Sequence, residues 1–210
     1  MKTPFQIAFL LLLFSPCGWG QAVIPLVNPS FEDPPRASEV PSGWYDCGAS
    51  GETPPDVQPG AFQVTTPPQH GNTFLGLVVR DNETWEAVGQ ELPQPLLKDS
   101  VYELRIFLAR SALYLSTSKL TGQEANYATP VMLRVWGGSD DCDKSELLAL
   151  SPLISHTDWK EYVLILSPLE NDRYSYITLE AYYKTPVAFP YNGNLLLDNC
   201  SLKKKSGAGK

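Results

Sequence analysis

Two acids and a set of rings carry the chemistry this sequence could perform. Glu86 and Glu180 are candidates for the paired carboxylates of glycoside hydrolysis, which works with about 5–9 Å between the two groups. The chain holds only two histidines, each in a loop context: Gln69-His70-Gly71 and Ser155-His156-Thr157. It has no Gly-x-Ser-x-Gly elbow, no His-Glu-x-x-His pair and no phosphate-cradling glycine loop. With 23 acidic residues, chance carboxylate pairs are easy to find. No catalytic residue is assigned, and the chain is expected not to be an enzyme. Arg, Tyr, Trp and Glu recur instead on alternate positions of several extended runs. Aromatic rings stack on the apolar faces of sugar rings, and charged groups make planar hydrogen bonds to hydroxyls. The same residues would also stabilise any solvated sheet through cross-strand pairs, so both readings stay open.

The elements that must position these residues are strands. From Gly71 onward, period-two runs alternate with Gly, Pro, Asn and Asp breaks. The runs are Thr73–Arg80, Trp85–Leu92, Val101–Arg110, Val131–Trp136, Lys160–Leu166, Tyr174–Tyr183 and Leu195–Leu202. Further strands are expected near Val27–Phe31 and Phe62–Val64. Ten of the 19 prolines lie between Pro25 and Pro68, which predicts long loops there. This count and spacing predict an all-β, two-sheet β-sandwich of jelly-roll type. Alternation places Leu104, Ile106 and Leu108 in the core, with Val131, Leu133 and Val135, and Ile177, Leu179 and Ala181. It leaves Glu103, Arg105 and Phe107 on an outer face, with Met132, Arg134 and Trp136, and Tyr176, Thr178, Glu180 and Tyr182. The segment Ser111–Thr129, with Tyr114 and Tyr127, reads as a loop between sheet neighbours, lying over an edge or a cleft.

Lys2 followed by the apolar run Phe5–Phe14 reads as a secretory signal. Gly18 and Gly20 place a cut before Gln21, so residues 1–20 are the expected signal and 21–203 one binding domain. Residues 204–210 are the expected disordered basic tail. Lipid anchoring at Cys17 is the alternative, although Pro16 suits it poorly. The run is shorter than the roughly 20 residues a transmembrane helix needs, and no other segment approaches that length. A secreted or cell-surface protein is expected. Net charge is −7, and the only basic cluster is Lys203–Lys205, which argues against nucleic acid as a partner. Without Cys17 three cysteines remain. Cys47 and Cys142 lie in turn-rich loops and are the expected disulfide of an oxidising compartment. Cys200 alternates within the last strand as a small buried hydrophobe. No paired cysteine spacing suggests zinc.

Several motifs add a resemblance. "LVNPSFED" followed by "PSGWYDCG", then "GNTFLGLVVRDNETWEAVGQEL", and finally "NGNLLLDNCSL" resemble the opening, middle and closing strands of carbohydrate-binding modules with the galactose-binding-domain-like jelly roll. With "LRVWGG" and "ELLALSP", the arrangement looks most like secreted or surface proteins of Bacteroidetes type. The resemblance spans most of the mature chain, and motif order and spacing carry it.

It implies an exported, non-catalytic module that recognises a polysaccharide or other glycan through a sheet face or its rim loops. The alternative is a surface adhesion or structural module that contacts cell-surface proteins. It also implies a structural calcium between the first and last strands, with Glu32, Asp198 and Asn28 as ligands. Asp33-Pro34-Pro35 departs from the glycine-rich turn common at that place. The ligand-contacting positions it implies are Arg80, Trp85, Glu86, Arg110, Tyr114, Trp136, Glu180 and Tyr182.

Overall fold

Alternating apolar residues do build a sandwich with leucine, isoleucine and valine between its sheets. The computed structural model describes residues 22–184, 186 and 188–205. The expected signal segment, Cys17 and Ser206–Lys210 lie outside them. The first strands are β1 (Ala22–Ile24), β2 (Tyr45–Asp46), β3 (Asp56–Gln58), β4 (Phe74–Val79), β5 (Ala87–Leu97) and β6 (Tyr102–Ala109). There follow β7 (Leu115–Thr117), β8 (Glu124–Asn126), β9 (Met132–Gly138) and β10 (Glu146–Leu150). The last are β11 (Lys160–Leu166), β12 (Arg173–Tyr182) and β13 (Gly193–Lys204).

One sheet has the order β11-β6-β13-β4-β3, with β1 also on β13; the other has the order β10-β9-β12-β5-β2. All pairings in both are antiparallel. Leu75, Leu77, Ile106, Leu108 and Leu197 of the first sheet meet Val88, Leu133, Val135, Ile177 and Leu179 of the second in one core. Burial of each such side chain contributes about 1.5–3 kcal/mol. No helix among the described residues is long and apolar enough to cross a membrane.

Several expectations are corrected. Val27–Phe31 is a turn: Asn28 and Phe31 have φ of 46° and 54°, and the Phe31 N–H donates to Asn28 O. Such positive values lie outside the extended region of φ. Phe31 is buried against Trp44, with ring centroids 5.1 Å apart. At Phe62–Val64 the chain instead forms a 3-10 turn over Ala61–Gln63, with Phe62 and Gln63 at φ 53° and 62°. β10 was not anticipated. β13 runs through Lys204, one residue into the expected tail.

The segment after β6 does not join sheet neighbours, since β6 lies in the first sheet and β9 in the second. Its β7–β8 hairpin covers the outer face of the first sheet. There Tyr114 and Tyr127 form a second small core with Phe74, Val78, Ala109 and Leu196. Thr178 and Glu180, placed outward by alternation, are buried as well, because neighbouring rings and Lys144 close over that face.

Candidate functional site

Sequence alternation on β4 turns Val78 and Arg80 to the outer face of the first sheet, while Leu77 and Val79 enter the core. The chain then reverses: the Arg80 N–H donates to Thr84 O, and the Glu86 N–H to Val78 O. Arg80 and Glu86 therefore face each other across one turn. Arg80 Nη2 pairs with Glu86 Oε1, and Glu86 Oε2 accepts the Val78 N–H at 3.0 Å. Beside them, Asp56 on β3 accepts the Tyr114 hydroxyl and the Ser38 N–H at 2.6 Å. Gly76 leaves the room for this: a Cβ there would lie 3.2 Å from Gln58 Cγ and 3.4 Å from Tyr114 Oη.

These residues line a cavity of about 190 Å³ between the first sheet and the β7–β8 hairpin. Phe62 stacks on Tyr114 with centroids 5.5 Å apart. Ser116, Thr117 and Tyr127 of the hairpin segment and Thr53 add hydroxyls to the lining. Arg80 is 3% exposed. Its Nη2 also reaches Thr53 Oγ1 at 3.0 Å, yet its Nη1 has no hydrogen-bond partner. At the rim, Lys119 Nζ lies 2.7 Å from Glu52 Oε2.

Burial dominates the acid–base character of the cavity. It raises Glu86; the Arg80 guanidinium pulls it down, Asp56 pushes it up again, and the balance is about 8. Burial likewise raises Asp56 against the pull of the Tyr114 and Ser38 hydrogen bonds. The Tyr114 hydroxyl is pushed well above the usual phenol range, first by burial and then by Asp56. At neutral pH the site offers a protonated carboxyl, a guanidinium and hydroxyls against aromatic walls.

A second cluster lies on the outer face of the second sheet. Glu180, 2% exposed, accepts Trp85 Nε1–H at 2.7 Å, Trp136 Nε1–H at 2.8 Å and Lys144 Nζ at 2.7 Å. Arg134 Nη1 stands 3.7 Å from it and caps the Tyr182 ring. Trp85 meets Tyr182 edge-on at 4.9 Å. Both Glu180 oxygens are taken up by donors of this network, while Arg134 Nε and the neighbouring Thr178 Oγ1 are buried without a hydrogen-bond partner.

The eight expected ligand positions therefore divide. Arg80, Glu86 and Tyr114 share the cavity, whereas Trp85, Trp136, Glu180 and Tyr182 share the opposite face. Arg110 stands apart, its guanidinium spent on the carbonyls of Ser155 at 3.0 Å and Ala128 at 3.1 Å at the root of the hairpin. Glu86 and Glu180 belong to separate clusters and do not form an acid pair. Asp56 and Thr53 carried no periodic signal, because they sit in the proline-rich stretch; Phe62 was expected in a strand and lies instead in the 3-10 turn. Tyr127 was visible only as a ring in a segment expected over a cleft.

The expected calcium ligands are used otherwise. Glu32 accepts the N–H of Asn72 at 3.0 Å and of Thr73 at 3.5 Å. Gly71, at φ +63°, permits this, since a Cβ would come within 1.8 Å of Glu32 Oε1. Asp198 accepts the N–H of Gln69 and His70, both at 2.9 Å, and the Ser30 hydroxyl at 2.8 Å. Burial raises its carboxyl against those bonds. Asn28 Oδ1 takes the Glu32 N–H at 2.8 Å. Calcium needs about six to eight oxygens turned toward it. Here the same oxygens face N–H and O–H donors, a set that does not fit the ion. The disulfide expectation holds: Cys47 and Cys142 are bonded, and Cys200 is free and buried.

Solved structures place this architecture. The CBM22-1 xylan-binding domain of Xyn10C from Paenibacillus barcinonensis matches with a TM-score of 0.51 at 15% identity, over 90% of this chain and 99% of that one. The chain shares the jelly-roll fold of that domain. A Stig cyclase from Fischerella sp. TAU matches with a TM-score of 0.55 at 14% identity, over 89% and 98% of the two chains. A GH51 α-L-arabinofuranosidase solved with arabinose matches with a TM-score of 0.54 at 15% identity, over 87% of this chain and 26% of that one. The fold thus occurs both in binding modules and in enzymes. No protein-family model and no curated protein matches the chain, so the expected Bacteroidetes kinship has no sequence support.

Proposed function

We propose that this chain is an exported, non-catalytic carbohydrate-binding module whose sugar site is the cavity beneath the β7–β8 hairpin. One observation carries the reading: a walled space in which Phe62, Tyr114 and Tyr127 face hydroxyl, carboxyl and guanidinium groups. A sugar ring presents the same mixture, apolar faces and a polar edge. The unpartnered Arg80 Nη1 is a donor awaiting a hydroxyl, since a buried polar group without a partner costs about 1–3 kcal/mol. The jelly-roll fold of the xylan-binding domain supports the ligand class, and the Cys47–Cys142 bond suits an extracellular setting. No calcium enters the reading.

Glycan-array binding tests it. The native chain should bind at least one carbohydrate, and Phe62→Ala should weaken that binding about tenfold, near 1.4 kcal/mol. Trp136→Ala, on the opposite face, should bind as the parent does. A silent array, or loss of binding with Trp136→Ala alone, would contradict the assignment. A second reading, acid-assisted turnover in the same cavity, is favoured by Glu86, which keeps its proton at neutral pH. Product released from a bound glycan would select it.

A further inference from the structure

We infer that the cavity is a one-ended pocket for a single terminal sugar residue and excludes the interior of a polysaccharide chain. This rests on the sugar-binding reading and narrows its ligand class. Size is the first argument. About 190 Å³ falls below the roughly 300–1,000 Å³ of sites for drug-sized ligands, leaving room for one ring and not a row of them.

Closure is the second argument. A chain bound through its interior needs two exits, one for each neighbouring residue. Along β4 the cavity is closed near Gly76 by the Phe62–Tyr114 stack. Toward Arg80 it is walled by the hydrogen-bonded Arg80 and Glu86, and the Lys119–Glu52 ion pair stands at its rim. The sheet forms the floor and the hairpin the roof. That roof is fastened: Asp81 Oδ2 accepts the Ser118 hydroxyl at 2.6 Å, and Asp81 Oδ1 accepts the Lys119 N–H at 3.1 Å.

Chemistry is the third argument. A terminal residue carries free hydroxyls on the carbons that link onward in a chain interior. The partnerless Arg80 Nη1 can donate to one of them, and hydroxyls of the lining are acceptors for it. An interior residue has spent such a hydroxyl on its glycosidic bond.

The test is calorimetric titration of the full chain with a length series built on the sugar that scores highest on the array. The probes are the free monosaccharide, its di- to hexasaccharides, and the hexasaccharide with its non-reducing end O-methylated. Affinities of the monosaccharide and hexasaccharide within about threefold of each other, with at least tenfold loss on O-methylation, are expected. Affinity that climbs tenfold or more with length and ignores the methyl cap would overturn end recognition while leaving the sugar-binding reading intact. Monosaccharide binding with a silent hexasaccharide would overturn docking of chain ends. If no carbohydrate scores on the array or gives heat, both readings fall.

Discussion

Glu86 and Glu180 show how far surroundings decide what a residue can do. Both are glutamates on alternating stretches, and both are buried. Glu180 is enclosed by two indole N–H groups, Lys144 and Arg134, and holds a surface together. Glu86 stands in a cavity where burial and Asp56 outweigh Arg80 and carry it to about 8. Its folded value lies above the ordinary 4.5, so between those values the folded chain holds a proton that the unfolded chain has released. Its contribution to stability is therefore full below about 4.5 and is lost as pH rises to about 8. The melting temperature of the native chain should fall more steeply from pH 5 to pH 8 than that of Glu86→Gln. Parallel slopes would contradict a raised Glu86. At this scale the sequence displayed Trp85, Trp136, Glu180 and Tyr182 because strand alternation marks them. It did not display Asp56, whose role depends on pairing with Gly76 across β3 and β4. Nor could it show that Glu32 and Asp198 serve the N–H groups of a glycine turn.

Among the elements, those with clean period-two patterns were legible, and β11 was read to the residue as Lys160–Leu166. The β7–β8 hairpin was not, since its three-residue strands are too short to display a period. β10 escaped because a bulge between Leu147 and Ala149 breaks its alternation. The hairpin is what turns an open sheet face into a cavity, and Asp81 fastens it. Burial opposes ionisation of Asp81, but Ser118, Asn192 and the N–H groups of Leu120 and Lys119 prevail and hold it below the ordinary range. Asp81→Ala removes the acceptor those donors share and should cost about 0.5–1.5 kcal/mol. Amide exchange at residues 118–120 should accelerate while β6 and β13 stay protected. Unchanged exchange at 118–120 would show that the hairpin is held by something else.

For the whole molecule, the sandwich separates two polar clusters that the sequence presented as one set. The turn between β4 and β5 passes from one sheet to the other, so Trp85 joins the outer face of the second sheet and Glu86 the cavity of the first. Consecutive residues thus face different surroundings, which no one-dimensional pattern reveals. The Cys47–Cys142 bond ties the end of β2 to the loop between β9 and β10, steadying the second sheet, whose polar network gathers on Glu180. The first sheet carries the cavity roofed by the hairpin, with Arg80 Nη1 unpartnered inside it. Both faces carry their own reporters in a two-dimensional amide NMR spectrum: the indole N–H groups of Trp85 and Trp136 for one, the amides of Arg80, Tyr114 and Lys119 for the other. Titration with the sugar that scores highest on the array should shift those three amides and leave both indole signals in place. Indole signals that move while the cavity amides stay still would contradict the account.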